Sequence, residues 1–227
     1  AEAPETEGCV LVSYAEVERT VCGAASATYQ FEVRIDDLPP ETEITYEVFV
    51  DEDRIPATTF RTMPERPAPM RFAVFADAHN NEENLYRFAQ TALALNVDFI
   101  VSVGDQAGSG QPWEFDIYFR GLRDIGSRVN VWATLGNHDE KNLAGYFDAF
   151  VLPEGNVAEI DQGWGEGWWD QRIGNVWLGG GWVRDFYVST PETDWGEVGW
   201  FKQRFQTNAF QTAQWRLFFI HQPPYVL

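Results

Sequence analysis

The chain contains three histidines, His79, His138 and His221, and each falls just after an apolar run. Asp77-Ala78-His79 follows the run at 71–76, Gly104-Asp105-Gln106 the run at 99–103, Gly136-Asn137-His138-Asp139 the run at 129–135, and His221 the run at 215–220. Imidazole nitrogens with carboxylate and amide oxygens suit divalent first-row metals. The chemistry that needs such a set is hydrolysis of a phosphate ester between two cations about 3.5 to 4 Å apart, which hold the nucleophile and the phosphate oxygens together. That arrangement calls for a bridging carboxylate flanked by terminal N and O donors. Asp105 is the natural bridge, and the neutral Asn137 limits the negative charge gathered around the ions. Gly104 and Gly136 lack a Cβ, so the backbone can turn sharply and bring the ligating side chains together. Taken singly, an Asp or Asn after a strand commonly caps the next helix, and a lone His is ordinarily a satisfied hydrogen-bonding group. Their joint placement favours metal binding.

Placing these residues at one site requires parallel strands alternating with helices, whose ligands collect at the carboxyl ends of the strands. The pattern predicts this arrangement. Residues 71–76 read as a buried parallel strand, and Glu82 to Leu95 carries Leu85, Phe88, Ala89 and Ala92 at helical spacing. A strand over 99–103, a helix over 113–125, a strand over 129–135 and a helix over 143–150 follow. Residues 163–183, rich in Gly and Trp, read as antiparallel strands, ahead of a helix over 198–205 and a strand over 215–220. The whole predicts an α/β domain with right-handed crossovers. Residues 163–169 could also form an aromatic wall for substrate, although Trp at strand spacing is ordinarily core.

Residues 1–62 read instead as a small β domain, with strands at 10–14, 28–35, 43–50 and 57–62. Met63-Pro64-Glu65-Arg66-Pro67-Ala68-Pro69 makes a stiff linker, so the boundary falls at 63–69, with the second domain over 70–227. Cys9 and Cys22, the only cysteines, are 13 residues apart and could staple neighbouring strands or remain buried thiols. The opening Ala1-Glu2-Ala3-Pro4 reads as a mature end after signal cleavage, which places the protein outside the cytoplasm, extracellular or periplasmic.

At 227 residues, 44% hydrophobic and 15% aromatic, the chain has apolar mass for a sizeable core, and no run approaches the ~18 apolar residues of a membrane span. A net charge of -19 excludes generic nucleic acid or polyanion binding as a driving force.

These motifs resemble those of the calcineurin-like metallophosphoesterases: Asp77-Ala78-His79, Gly104-Asp105, Gly136-Asn137-His138-Asp139 and the later His221, separated by 28, 32 and 84 residues from Asp77 through Asp105 and Asn137 to His221. The resemblance covers about residues 70–227. It implies a four-layer α/β/β/α domain with Asp77, His79 and Asp105 on a first ion and Asp105, Asn137 and His221 on a second. His138 then contacts the phosphate and assists the leaving group as the catalytic residue, and a metal-bound hydroxide is the nucleophile. Asp139 and Glu140 read as structural.

Residues 38–42, 46–50 and 60–62 resemble the closing half of the fibronectin type III-like β-sandwich that precedes the catalytic domain in the purple acid phosphatases. Residues 174–178 and 215–225 are similar to later strands of that branch. The branch carries a Tyr three residues after the Gly-Asp aspartate, where this chain has Gly108, and it usually lacks the counterpart of His79. The implied site is therefore colourless and holds two divalent metals, Mn, Fe or Zn, acting on a phosphate ester. The family's final Gly-His-x-His does not follow His221, so the expectation is a chain trimmed before that motif, with a domain incomplete at its C-terminal end. The competing class is a non-catalytic secreted module with a degenerate site.

Overall fold

A computed structural model describes residues 7–24, 31–51, 53–153, 167–182 and 196–223. At the N-terminus, β1 (Glu7–Tyr14), β2 (Val17–Ala24), β3 (Glu43–Val50) and β4 (Asp53–Arg61) form one antiparallel sheet in the order β2-β1-β3-β4. Cys9 and Cys22 are register partners across β1 and β2 and are joined by a disulfide. The sequence reading missed β2, because the β1–β2 turn is Ala15-Glu16, with Ala15 at φ 48°, and carries no Gly or Asn to announce it. Of the strand expected at 28–35, residues 28–30 lie outside the described residues, and only Phe31 makes an isolated bridge.

The rest of the chain builds two three-stranded sheets. β5 (Phe72–Phe75), β6 (Phe99–Val103) and β7 (Asn130–Thr134) are parallel in the order β5-β6-β7. β8 (Trp169–Ile173) pairs antiparallel with β9 (Val176–Gly181), which pairs parallel with β10 (Trp215–Ile220). Helices α1 (Glu82–Ala94), α2 (Pro112–Gly126) and α3 (Leu143–Ala149) connect strands of the first sheet or follow them, and α4 (Gly196–Arg204) and α5 (Asn208–Gln211) lie between β9 and β10.

Aromatic side chains knit these elements. Phe75 packs tilted against Phe88 of α1 and stacks on Tyr118 of α2, at ring-centroid distances of 4.5 and 6.2 Å. Trp132 of β7 meets Trp169 of β8 at 6.0 Å, and the Trp169 indole N–H donates to the Ala133 carbonyl at 2.6 Å, joining the two sheets. Beyond them, Trp177 of β9 packs against Phe201 of α4 at 6.5 Å and Phe210 of α5 at 5.0 Å. Trp168 and Trp169 are buried core residues, so neither forms an exposed wall; Trp164 lies outside the described residues.

The expectation of a fully buried strand at 71–76 fails. Among the described residues β5 pairs only with β6 and sits at the edge of its sheet, with Phe72 and Val74 40% and 46% exposed. An apolar run reports what a strand can bury and is silent on whether a neighbour covers it.

The stretch 63–69, expected from sequence as a linker, is held by the rest of the chain. The Gly174 N–H donates to the Pro64 carbonyl at 2.9 Å, and Gly174, at φ 51°, has no Cβ to collide with Arg66. The Tyr46 hydroxyl of β3 donates to the Ser127 carbonyl at 2.8 Å. Among the described residues, no helix is long and apolar enough to cross a membrane.

Candidate metal centre

The loops after β5, β6, β7 and β10 meet at one place. The Asp77 N–H donates to the Gly104 carbonyl at 3.2 Å and the His79 N–H to the Asp105 carbonyl at 3.1 Å, which ties the first loop to the second. Asp77, His79, Asn80 and Asp105 all have positive φ, at 57°, 42°, 63° and 53°. Left-handed backbone costs a non-glycine residue about 1 to 2 kcal/mol, so four such residues side by side mark a loop pair held in shape by its surroundings.

Asp105 is the centre of this arrangement. Its side chain is 4% exposed, with Oδ2 at 3.4 Å from Nε2 of His79, 3.4 Å from Nε2 of His221 and 4.0 Å from Nε2 of His138. The other oxygen, Oδ1, accepts the His138 backbone N–H at 2.8 Å. Asp77, 62% exposed, reaches Nε2 of His79 with Oδ1 at 3.5 Å. Two sets of ligand atoms, each within 4.8 Å of one another, share Asp105: His79, Asp105 and His138 form one, and Asp77, Asp105 and His221 the other.

The sequence-based sets differ in their partition. They paired His79 with Asp77 and left His138 outside the ligands, whereas the geometry also brings Nε2 of His138 within reach of Asp105. Asn137 lies in the same cluster of loops, exposed, and its side-chain oxygen accepts from the Gln222 amide at 3.0 Å. All six predicted site residues therefore come from four strand-end loops that converge.

The donor chemistry fits divalent cations. Nδ1 of His221 lies 2.8 Å from the Val103 carbonyl, so a proton there is held by the backbone and Nε2 presents its lone pair toward Asp105. Asp105 Oδ2 and the Nε2 atoms of His79 and His221 are the N and O donors such a cation takes.

Local glycines make this convergence possible. A Cβ at Gly136 would overlap the backbone N and Oδ1 of Asp105. At Gly108 a Cβ would press within 3.1 Å of Asn80 Nδ2 and Glu114 Oε1.

Two acids that sequence reasoning treated as structural, or passed over, hold the loops. Asp139 is fully buried: Oδ1 accepts from Ala107 N–H at 2.9 Å, and Oδ2 accepts from Gly136 N–H at 3.0 Å and Gln106 N–H at 3.4 Å. Burial pushes its pKa up to about 6 and the Asp105 charge adds to the rise, while the three N–H donors oppose it. Glu114, in the first turn of α2, was missed. Its position three residues after the N-cap Gln111, the place of a capping-box acid, was the available signal. Burial alone would raise its pKa, but hydrogen bonds from Gln111, Asn80 and Ser109 outweigh that and hold it below the ordinary value. Lys141 was also missed. Three residues beyond His138, its Nζ sits 3.0 Å from His138 Nδ1 and 3.2 Å from the Gly108 carbonyl.

Residues 70–226, more than half of the chain, match the family described as calcineurin-like phosphoesterase. The chain belongs to that family. No curated protein matches it significantly. Among solved structures, PhoD aligns over 78% of this chain at 12% identity with a TM-score of 0.56, a likeness of fold. The chain spans 45% of that protein's length. A family 39 glycoside hydrolase from the gut symbiont Bacteroides cellulosilyticus WH2 aligns over 68% of this chain and 33% of its own, at 13% identity, but its TM-score of 0.21 carries no structural argument.

Proposed function

We propose that this phosphoesterase chain hydrolyses phosphate esters at a two-cation site. Asp105 would be shared by both cations, with Asp77 and His79 completing the first set of ligands and Asn137 and His221 the second. The observation that carries the reading is a buried carboxylate oxygen of Asp105 facing Nε2 of His79 and of His221, each at 3.4 Å, with His138 beyond at 4.0 Å. Mn, Fe or Zn fits this mixed N and O set. When bound, the cations lower the pKa of water and neutralise phosphate charge.

The chain's own residues supply the rest. The Val103 carbonyl orients His221, and the amide of His138 orients Asp105. Nδ1 of His138 lies 2.7 Å from the Gly108 carbonyl and 3.0 Å from the Lys141 ammonium, contacts that set the ring so that Nε2 is the atom on the Asp105 side. A proton carried on Nε2 would pass from there to the leaving oxygen of the ester. The net charge of -19 does not oppose phosphate binding here, because exposed charges farther than ~8 to 10 Å are screened by salt while the cations act at contact distance.

In the same reading residues 1–62 form a fibronectin type III-like β-sandwich, 63–69 a linker and 70–227 the catalytic domain. Its α/β/β/α layering is supported by helices packed on Phe75 and on Trp177, outside the sheets that meet at Trp132 and Trp169. The Cys9–Cys22 disulfide supports an exported, extracellular or periplasmic location, since such bonds persist in oxidising compartments.

Elemental analysis of the purified chain, with assays on an aryl phosphate monoester and diester, tests the function. Two metal equivalents and turnover are expected, and Asp105→Asn should lose both. An Asp105→Asn protein that keeps two tightly held metals would remove Asp105 as the bridge.

A further inference from the structure

Glu114 reaches the candidate metal centre without touching it. Its side chain is buried, Oε1 accepting from Nδ2 of Asn80 at 2.7 Å and Oε2 from Ser109 N–H at 2.9 Å, Ser109 Oγ at 2.9 Å and Gln111 N–H at 2.8 Å. Capping α2 needs only the Gln111 contact. The others reach into two different loops, so most of the carboxylate's bonding capacity lies outside the cap.

One arm ends beside His79. Asn80 follows it directly in the strained stretch with φ 42° at His79 and 63° at Asn80, and α1 begins two residues later. A left-handed pair of non-glycine residues stays in place only when neighbouring groups over-determine it, and Glu114 supplies the hydrogen bond that anchors Asn80 from the α2 side. The second arm ends beside His138. Ser109 fixes the peptide that carries the Gly108 carbonyl, which lies 2.7 Å from Nδ1 of His138 and 3.2 Å from Nζ of Lys141. In either tautomer that carbonyl sets the ring, directly or through Lys141. The two rings so governed meet edge to face, with centroids 4.5 Å apart.

We propose that Glu114 is a positioning residue for the metal centre, holding His79 through Asn80 and His138 through the Ser109–Gly108 peptide so that both rings face Asp105. The inference rests on the metal reading given under Proposed function. Groups that orient ligating histidines typically change metal affinity by roughly 10- to 100-fold when altered, and Glu114 acts on His79 through the adjoining Asn80. Gln at 114 keeps the shape of the side chain but turns one acceptor oxygen into a donor that meets the Asn80 amide or the Ser109 and Gln111 N–H groups.

The test titrates Mn2+ calorimetrically into metal-free wild type, Glu114→Gln and Asn80→Ala, with Co2+ absorption as the signature of ligand geometry and thermal unfolding as the check on the fold. Asn80→Ala leaves the α2 cap intact and cuts only the arm to His79. The expected result is a roughly 10- to 100-fold loss of Mn2+ affinity in both variants and a shifted Co2+ spectrum, with cooperative unfolding retained. Wild-type affinity and spectrum in both folded variants would overturn the proposal, and a loss in Glu114→Gln alone would overturn the link to His79. Should Glu114→Gln not fold, Asn80→Ala decides by itself: weakened binding upholds the link and unchanged binding ends it. A wild-type chain that takes up no Mn2+ strikes down the metal reading itself, and this inference with it.

Discussion

The ring of His221 occupies the space that a Cβ on Gly104 would fill, and Gly104 sits at φ 77°, where side chains are rarely tolerated. The loop after β6 and the loop after β10 are therefore fitted to each other through an absent side chain. Gly104→Ala should displace His221 from Asp105 and add about 1 to 2 kcal/mol of backbone strain. The expected outcome is a protein that folds with a lowered melting temperature and binds Mn2+ at least 10-fold more weakly by calorimetry. Unchanged affinity would mean that His221 has another way to reach Asp105.

His138 stands apart from the other two imidazoles, 4.0 Å from Oδ2 of Asp105 against 3.4 Å for each of them. If its task is the proton on Nε2, His138→Ala should lower turnover of an aryl phosphate by ~10² to 10⁴ while two metals remain bound. Elemental analysis beside the assay separates the roles. Metal lost together with activity would make His138 a ligand, as its grouping with His79 and Asp105 allows.

Asp139 gives a pH dependence with a definite sign. Its folded-state pKa of about 6 lies above the ordinary 3.8, so its contribution to stability is fully present below the lower value and lost as pH rises through the upper one. For the metal-free protein, the urea midpoint of wild type relative to Asp139→Asn should fall between about pH 4 and about pH 6 and level off above about pH 7. A difference that does not change with pH across that window would show that Asp139 titrates normally.

The Cys9–Cys22 bond closes a short loop across β1 and β2, 13 residues apart in sequence. Chain entropy assigns such a cross-link about 3 kcal/mol. Reduction, or the Cys9→Ser/Cys22→Ser pair, should lower the stability of the N-terminal sheet by that order in urea, with activity intact. Thiol titration of the denatured, unreduced chain should find none, and two free thiols would refute the bond.

The sequence alone determined which residues could form a metal site. A metal ligand must be a particular residue type at a strand's end, and both requirements are local: apolar runs stop at Asp77, Gly104, Gly136 and His221, and helical periodicity marks α1 and α2 within a few residues of their ends. The tertiary structure decided what depends on neighbours far along the chain. It set β5 at a sheet edge, leaving Phe72 and Val74 exposed despite an unbroken apolar run, and it paired β1 with β2 through a turn that lacks the usual residues. It also decided how the imidazoles are shared around Asp105 and that Glu114 braces two loops, because hydrogen bonds between residues 34 apart, as from Asn80 to Glu114, leave no periodic trace in sequence. Residue type and spacing are covalent properties of the chain, whereas burial, strand order and shared acceptors exist only once distant segments have packed.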